Sequence, residues 1–295
     1  MSALALVVDA GGTRTVAALA RGDEFLARRQ GNAGSVRGGR AMQAAAAIAA
    51  TCRQVMADAA AQRVDVLVVG AAGAGRDPER GDLAAALRAE RLADRVVVTT
   101  DAEIARLAAF GDGPGILLIA GTGSVALGRD AAGAEARVGG WGWQAGDEGS
   151  GYAIGRAALQ AVTRAEDGRA PPTSLRAALL EAARAADFDA LVRWAGQAGP
   201  TEVAGLAARV AAQARAGDAA AAALVAEAAA ALAGLVTHAA TRLASAAPLP
   251  VAMTGGLLGP DSPVREAVRA RLAGDGRLAV QEGEVDPLRG ALRLA

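Results

Sequence analysis

The stretch that decides the fold reads Leu4-Ala5-Leu6-Val7-Val8-Asp9-Ala10-Gly11-Gly12-Thr13-Arg14-Thr15. An apolar run that ends in a carboxylate and turns through two glycines predicts a strand followed by a β-hairpin. Since glycine has no Cβ, the backbone N–H groups of this turn can approach a phosphate closely. Asp9 would lie beside that phosphate and could hold Mg²⁺, directly or through water. The alternative is an ordinary hairpin turn, which Asp and Gly also form.

Outward from this hairpin, the pattern predicts alternating strands and helices. Gly111-Asp112-Gly113-Pro114-Gly115 is the best candidate for a linker, because glycine and proline mark chain reversals and loops. Before it, we expect strands over residues 4–8, 15–20, 24–30, 64–69 and 96–99 and helices over residues 36–62, 78–92 and 102–110.

After the linker the same plan starts again, with a glycine-turned hairpin, a third strand, and then helices and strands. We expect strands over residues 116–120, 125–129, 135–138, 251–254 and 278–281. Helices should fill residues 152 to 246, with breaks at 171–172, 199–200 and 217–218. Further helices are expected over residues 263–273 and from residue 286. The predicted domains are residues 1–112 and 113–295, with the last helix free to pack back on the first domain. The alternative is two unrelated α/β segments.

Two further glycine turns suit a nucleotide. Gly121-Thr122-Gly123-Ser124 follows an apolar strand, and its small residues and hydroxyls could approach the other side of a triphosphate. Thr254-Gly255-Gly256-Leu257 follows another strand, and its glycine pair could let adenine and ribose lie against the backbone. The alternative for residues 254–257 is a plain corner between a strand, a loop and a helix.

Asp101 follows a strand in Thr99-Thr100-Asp101 and begins a helix. Its structural role would be that of a helix N-cap, a position that Asp favours. Its functional role would be that of a general base, which accepts the proton of an attacking hydroxyl near a γ-phosphate. Ligand crevices in α/β proteins form at the carboxyl ends of strands, and that placement favours the functional role.

The segment Gly139-Gly140-Trp141-Gly142-Trp143-Gln144-Ala145-Gly146-Asp147-Glu148-Gly149-Ser150-Gly151 is the most unusual in the chain. Glycines at this density cost conformational entropy, so a close approach of a ligand or of other backbone is the expected reason for them. Acidic residues beside tryptophan are typical of sites that bind polyhydroxyl compounds. The alternative is a structural loop that leads into the helix at Tyr152.

Composition excludes several classes of protein. Of 295 residues, 53% are apolar and only 2% aromatic, so the cores must rest on Ala, Leu and Val. The net charge is zero without a charged tail, which argues against nucleic acid and membrane surfaces as partners. The absence of lysine excludes a Walker-type phosphate loop and Schiff-base chemistry.

One cysteine and one histidine cannot form a zinc site, an iron–sulfur cluster or an intrachain disulfide. We expect a reducing, cytoplasmic location, since the N-terminal apolar run is too short for a signal peptide. The apolar stretch over residues 219–235 is mostly alanine, and we expect a helix of a soluble protein there.

In their order along the chain, these motifs resemble the BadF/BadG/BcrA/BcrD ATPase family of the actin/hsp70/sugar-kinase superfamily, which includes N-acetylglucosamine kinase. The resemblance implies two ribonuclease-H-like lobes around a central cleft. Residues 9–15 and 121–124 match the two phosphate motifs, which would face each other across that cleft, and residues 254–257 match the adenosine motif. The closing helix from Asp286 to Leu292 also matches. The Ala-rich region over residues 200–246 departs from the pattern, so its adenine contacts cannot be assigned.

The resemblance also implies roles for single residues. Asp101 takes the role of catalytic base and Asp147 binds sugar hydroxyls, because Thr-Thr-Asp and Gly-Asp-Glu-Gly-Ser are features of the N-acetylglucosamine kinase branch. Asp9 would hold Mg²⁺ through water. The expected substrate-binding residues are Asn32, Asp101, Ser124, Gly140, Trp141, Gly142 and Asp147, and the expected ATP-binding residues are Gly11, Gly12, Thr13, Gly121, Thr122, Gly123, Gly255 and Gly256.

The implied reaction is phosphoryl transfer from Mg·ATP to an amino sugar, with N-acetylglucosamine and its O6 hydroxyl as the expected acceptor. Glucosamine and N-acetylmuramic acid are the alternative substrates. Alternatives of another class are an ATPase that activates a reductase or dehydratase, and a sugar sensor without catalysis. The oligomeric state is left open, and a homodimer is one of the assemblies considered.

Overall fold

The computed structural model describes residues 3–36, 39–243 and 245–295. Contacts divide the chain into two units, residues 1–112 with 285–295 and residues 113–284. The last helix lies in the first unit because its Leu288 and Ala291 side chains are buried against Ala5 and Ile104. Residues 37, 38 and 244, where two predicted helices partly fell, lie outside the described residues.

The first unit contains a sheet of five strands with helices on both faces. Helices α1 and α2 cover one face, and α3 and α11 cover the other. Within the described residues its elements are β1 Leu4–Ala10, β2 Arg14–Arg21, β3 Glu24–Asn32, α1 Ala41–Asp58, β4 Val64–Ala71, α2 Glu79–Ala89, β5 Ala93–Thr99, α3 Asp101–Phe110 and α11 Pro287–Leu292.

The second unit contains another sheet of five strands and most of the helices. Its core is built from alanine and leucine, as the composition requires. Within the described residues its elements are β6 Gly115–Ala120, β7 Ser124–Arg129, β8 Glu135–Gly139, α4 Gly151–Glu166, α5 Leu175–Ala183, α6 Phe188–Gln197, α7 Pro200–Gly205, α8 Ala207–Arg215, α9 Ala219–Leu243, β9 Leu249–Thr254, α10 Pro263–Leu272 and β10 Leu278–Val280.

The two sheets share one topology. The strand orders are β3-β2-β1-β4-β5 and β8-β7-β6-β9-β10, so the first strand of each unit is central in its sheet. In both, the first three strands are antiparallel and the last two are parallel to the first. The predicted repetition of one plan is confirmed, and the fold is that of a two-lobed, actin-like ATPase.

Two predicted helices differ from the structure. Helix α1 begins at Ala41 rather than at residue 36, because Val36 is buried in a loop and its N–H donates to the carbonyl of Ala72 at 2.8 Å. The helical region over residues 152–246 has an additional break after Ala183, where Arg184 adopts a left-handed conformation and Asp187 caps α6.

Helix α9 is long and apolar enough to cross a membrane by length and composition alone. Half of its most apolar 18-residue window is buried in the structure. Leu232, Val236 and Leu243 of this helix belong to the core that it shares with the second sheet. Its apolar character is therefore accounted for by packing within the unit.

Candidate functional site

The carboxyl ends of β1, β4 and β5 meet at one edge of the first sheet. Asp9 of β1 pairs with Gly70 of β4, and Gly70 pairs with Thr99 of β5. Ile104 of α3 packs directly on Gly70, where the Cβ of any other residue would overlap the isoleucine side chain. This close packing brings the first turn of α3, which contains Asp101, to the end of β1.

Helix α3 is capped by Thr100. The Thr100 hydroxyl accepts a hydrogen bond from the N–H of Glu103 at 3.0 Å. Asp101 is the first residue of the helix itself, and its Oδ1 accepts from the N–H of Ala102 at 2.9 Å. The alternative prediction that Asp101 is the N-cap is wrong, because the neighbouring threonine fills that role.

The carboxylates of Asp9 and Asp101 influence each other. The pKa of Asp9 is raised to about 6, first because burial disfavours the charged form and second because the charge of Asp101 opposes it. Burial also raises the pKa of Asp101, against the opposing effect of the N–H of Ala102. Two half-buried carboxylates that raise each other's proton affinity favour the binding of a proton or a cation at this end of the sheet.

Two arginines partly balance this negative charge. Arg14 and Arg28 lower the pKa of Asp9, whereas Asp286 raises it. The Asp286 carboxylate both caps α11, through the N–H of Leu288, and pairs with Arg28 at 3.3 Å. The sequence analysis identified Asp286 only as part of the closing helix, and its position near Asp9 depends on the folding back of α11.

The first glycine turn has the predicted hairpin form. The N–H of Gly11 donates to the carbonyl of Arg14 at 2.9 Å, which leaves Gly12 and Thr13 at the tip of the turn. Asn32 is exposed at the end of β3, where it pairs with Arg14. The first unit thus brings together Asp9, Gly11, Gly12, Thr13, Asn32 and Asp101 at one edge of its sheet.

The second glycine turn, residues 121–124, is held by α4. This helix follows the glycine-rich stretch of residues 139–151, which is called the acidic segment below. The N–H of Gly121 donates to the carbonyl of Gly123 at 2.9 Å. The first N–H groups of α4, at Gly151 and Tyr152, donate to the carbonyls of Gly121 and Thr122 at 2.8 and 3.3 Å. The N-terminus of α4 therefore fixes the shape of this turn.

Asp147 lies against the same turn. Asp147 is buried, with 8% of the residue exposed, and the backbone N–H groups of Ser124 and Gly142 act on its carboxylate to lower its pKa. A Cβ at Gly123 would lie 2.6 Å from its Oδ2 atom, so only glycine permits this approach. Burial raises the pKa of Asp147. A carboxylate has about four acceptor sites, so two N–H donors leave capacity for ligand hydroxyls.

The backbone of the acidic segment is held from both sides. The hydroxyl of Ser124 donates to the carbonyl of Glu148 at 2.7 Å, so its proton is used within the unit. Ser150 caps α4 by accepting from the N–H of Ala153 at 3.2 Å. Asp147 itself has a positive φ of 61°, an uncommon conformation for a non-glycine residue.

The two tryptophans of this segment are exposed. Trp141 is 70% exposed and Trp143 is 41% exposed, although large apolar side chains are usually covered. Trp143 lies against Tyr152, with ring centroids 5.1 Å apart, and the guanidinium of Arg137 lies 5.7 Å from the centroid of Trp141. Arg137 was missed in the sequence analysis, because only its outward position on β8 places it beside this ring.

The third glycine turn, residues 254–257, packs on the end of β6, the strand that precedes the turn at residues 121–124. Gly255 has a φ of 103°, and a Cβ there would overlap the carbonyl of Ala120. The N–H of Leu257 donates to that carbonyl at 3.1 Å, whereas Gly256 has open space where a Cβ would stand. The second unit thus brings its predicted residues into one connected set, namely Gly121, Thr122, Gly123, Ser124, Gly140, Trp141, Gly142, Asp147, Gly255 and Gly256.

The described residues contain no group of three or more His, Cys, Asp or Glu side chains that could hold a metal by themselves. Asp9 and Asp101 form a pair only. Mg²⁺ usually binds to one or two carboxylates, with water and substrate phosphates as the other ligands. Two carboxylates are thus enough for a Mg²⁺ that arrives with a nucleotide.

The fold is that of the actin-like class of ATPases, with glycine turns at the strand ends and half-buried carboxylates beside the first of them. The sequence profile of the BadF/BadG/BcrA/BcrD ATPase family matches residues 6–295. This chain belongs to that family, as the sequence motifs predicted.

Two curated relatives match parts of the chain. An N-acetylmuramic acid/N-acetylglucosamine kinase of Clostridium acetobutylicum is 33% identical over 141 residues, 48% of this chain and 46% of the relative. An N-acetyl-D-glucosamine kinase of Dictyostelium discoideum is 43% identical over 81 residues, 28% of this chain and 25% of the relative. The matched regions thus span less than half the length of either relative.

Among solved structures, a Chromobacterium violaceum protein proposed to be an N-acetylglucosamine kinase is similar over nearly the whole chain. The TM-score is 0.80, the identity is 29%, and the comparison covers 99% of both chains. The likeness therefore extends over both units.

Proposed function

We propose that this protein catalyses the ATP-dependent phosphorylation of an amino sugar, with N-acetylglucosamine as the substrate and its 6-phosphate as the product. The observation that carries the proposal is that the half-buried carboxylates of Asp9 and Asp101, at the carboxyl ends of β1 and β5, influence each other. The 29% identical structure over 99% of the chain, from a protein proposed to be an N-acetylglucosamine kinase, supports the choice of sugar.

In the proposed mechanism Asp101 acts as the general base. Burial raises its pKa and so increases its affinity for the proton of the attacking hydroxyl. Mg·ATP supplies the transferred phosphoryl group and a positive charge. Asp9 would hold that cation, through water, and the backbone N–H groups of the glycine turns would bind the phosphates.

Exposed and acidic residues are the proposed contacts of the sugar. Trp141 offers an apolar ring face for a sugar ring, with Gly140 and Gly142 leaving room beside it. Asp147 and Asn32 would accept and donate hydrogen bonds to hydroxyl and acetamido groups. Glucosamine and N-acetylmuramic acid remain the alternative substrates. A cytoplasmic location would supply the ATP for this reaction, and light scattering would show whether the protein is a homodimer.

A role as an activating ATPase with an iron–sulfur cluster is less well supported. The one cysteine, Cys52, is buried in the core of the first unit, and burial raises the pKa of its thiol to about 12. A thiol that stays protonated and enclosed is a poor ligand. A sugar sensor without catalysis would have no use for a general base, and the assay below separates it from a kinase.

The test compares Asp101→Asn with Thr100→Ala in a coupled assay with ATP and a panel of amino sugars. Asp101→Asn should lower kcat by about 10²–10⁴-fold, the usual effect of losing a general base, and leave the sugar affinity largely intact. Thr100→Ala removes the observed helix cap, so it should lower stability by about 0.5–2 kcal/mol and retain activity. Asp82→Asn, in the first turn of α2, is a matched control for removing a charge.

Near-wild-type turnover in Asp101→Asn would refute the role of this residue as the base. Wild-type protein that binds ATP and sugar without producing ADP or sugar phosphate would favour the sensor. Melting temperatures measured beside kcat and KM show whether any lost activity is only lost folding.

A further inference from the structure

Arg137 is a cation on the edge strand of the second sheet, beside the exposed Trp141. Its neighbours Ala136 and Val138 face the core, so alternation along β8 directs Arg137 to the opposite face. Its Nη2 donates to the carbonyl of Gly140 at 2.7 Å, and its Nε donates weakly to that of Gly139 at 3.4 Å. The guanidinium is thereby fixed 5.7 Å from the Trp141 ring centroid.

The charge of Arg137 is not neutralised by an ion pair. In residues 3–36, 39–243 and 245–295, no carboxylate lies within 4.0 Å of its guanidinium. Other arginines of this chain, such as Arg28 and Arg29, do form ion pairs with an acidic side chain. Its charge does reach Asp147, whose pKa it lowers against the larger effect of burial. Two carbonyl acceptors use two of the five N–H donors of the guanidinium, so further donors can bind an anion.

We propose that Arg137 is the residue that binds the carboxylate of an acidic amino sugar, and that it thereby decides whether the alternative substrate N-acetylmuramic acid is accepted. This inference rests on the proposed kinase function and assigns a specificity residue within it. N-acetylmuramic acid has the N-acetylglucosamine ring and, in addition, a lactyl ether that ends in a carboxylate. Arginine binds a carboxylate through two parallel N–H donors, a geometry that neither Trp141 nor Asp147 can offer.

The same guanidinium could instead bind a phosphate of the nucleotide, or it could only orient Trp141 through its contact with the ring. These alternatives predict different kinetics. Loss of a sugar carboxylate contact affects the acidic sugar alone, loss of a phosphate contact raises the KM for ATP with every sugar, and loss of ring orientation affects both sugars equally.

The test measures kcat/KM for N-acetylmuramic acid and N-acetylglucosamine, and the KM for ATP, in wild-type protein and in Arg137→Gln, Arg137→Lys and Arg129→Gln. Arg137→Gln should lower kcat/KM for the acidic sugar by about 10–100-fold, the usual range for a charge-assisted hydrogen bond, and change the neutral sugar less than about threefold. Arg137→Lys should restore part of the loss. Arg129, at the end of β7 away from the glycine turn, is the matched control and should change neither sugar.

Equal losses for both sugars, a rise only in the KM for ATP, or a wild-type protein that phosphorylates only the neutral sugar would each overturn the role of Arg137. Failure of the wild-type protein to phosphorylate either sugar would instead reject the proposed kinase function. In that case calorimetric binding of the two sugars still decides the inference. Wild-type protein should bind the acidic sugar more tightly than Arg137→Gln does, and added salt should reduce this difference.

Discussion

Replacing Asp9 with asparagine should make the protein more stable and abolish its activity. Asp9 is half-buried, and the pKa of its carboxyl is raised from 3.8 to about 6, mainly by burial. Since a tenfold change in proton affinity is worth about 1.4 kcal/mol, the charged form destabilises the folded state by ~3 kcal/mol at pH 7.5. An amide of the same size removes this charge, and the gain should raise Tm by roughly 2–4 °C per kcal/mol.

The pH dependence identifies the cause. Because the folded-state pKa is raised, the wild-type protein loses stability as the pH rises from about 4 to about 6. The stability difference between Asp9→Asn and wild type should therefore be small near pH 4, grow through this window, and stay constant above it. The exposed turn residue Asp23 provides the control, and Asp23→Asn should show no such trend.

Thermal unfolding of the three proteins between pH 4 and 8, with and without Mg·ATP, is the appropriate measurement. Mg·ATP should stabilise the wild-type protein more than Asp9→Asn, since a ligand stabilises in proportion to its binding. An Asp9→Asn variant that is no more stable than Asp23→Asn at pH 7.5, or whose advantage is the same at pH 4, would refute the reasoning.

Two further predictions concern packing and substrate binding. Gly290→Ala should destabilise the first unit by about 1–3 kcal/mol in urea unfolding, because a Cβ there would overlap the backbone of α3 at Ile104. Gly196→Ala, where the space is open, should not. Trp141→Ala should raise the sugar KM with little change in Tm, because the ring is 70% exposed, and Tm falling with unchanged KM would contradict its proposed role.

The strands and their order along the chain could be predicted from sequence because their signals are local. Apolar runs that end in Asp9 or in Gly121 mark strand and turn in both units, and the structure places both hairpins as expected. Breaks that depend on glycine or proline were equally visible. The break at Arg184 was missed because a left-handed arginine has no sequence signature, whereas the cap at Asp187 would have been a usable signal.

The candidate residues could also be named from sequence, but not the contacts that position them. Gly70 permits α3 to approach the sheet, and Gly123 permits the carboxylate of Asp147, 24 residues later in the chain, to lie against the turn. Such contacts depend on tertiary packing, which local patterns do not encode. Arg137 was overlooked for the same reason, since a single arginine on a strand normally indicates only a solvated face.

At the carboxyl end of β1, the residue that stabilises helix α3 is a different residue from the aspartates proposed to take part in the reaction. Thr100 caps α3, so the helix does not require the carboxylate of Asp101, and burial raises the pKa of both Asp101 and Asp9. Buried carboxylates close to each other weaken the folded state above their pKa values, and apolar residues would pack there without that penalty. A bound cation and a transferred proton would each relieve the repulsion. A cost to stability at these two positions is what the proposed phosphoryl-transfer roles of the aspartates would predict.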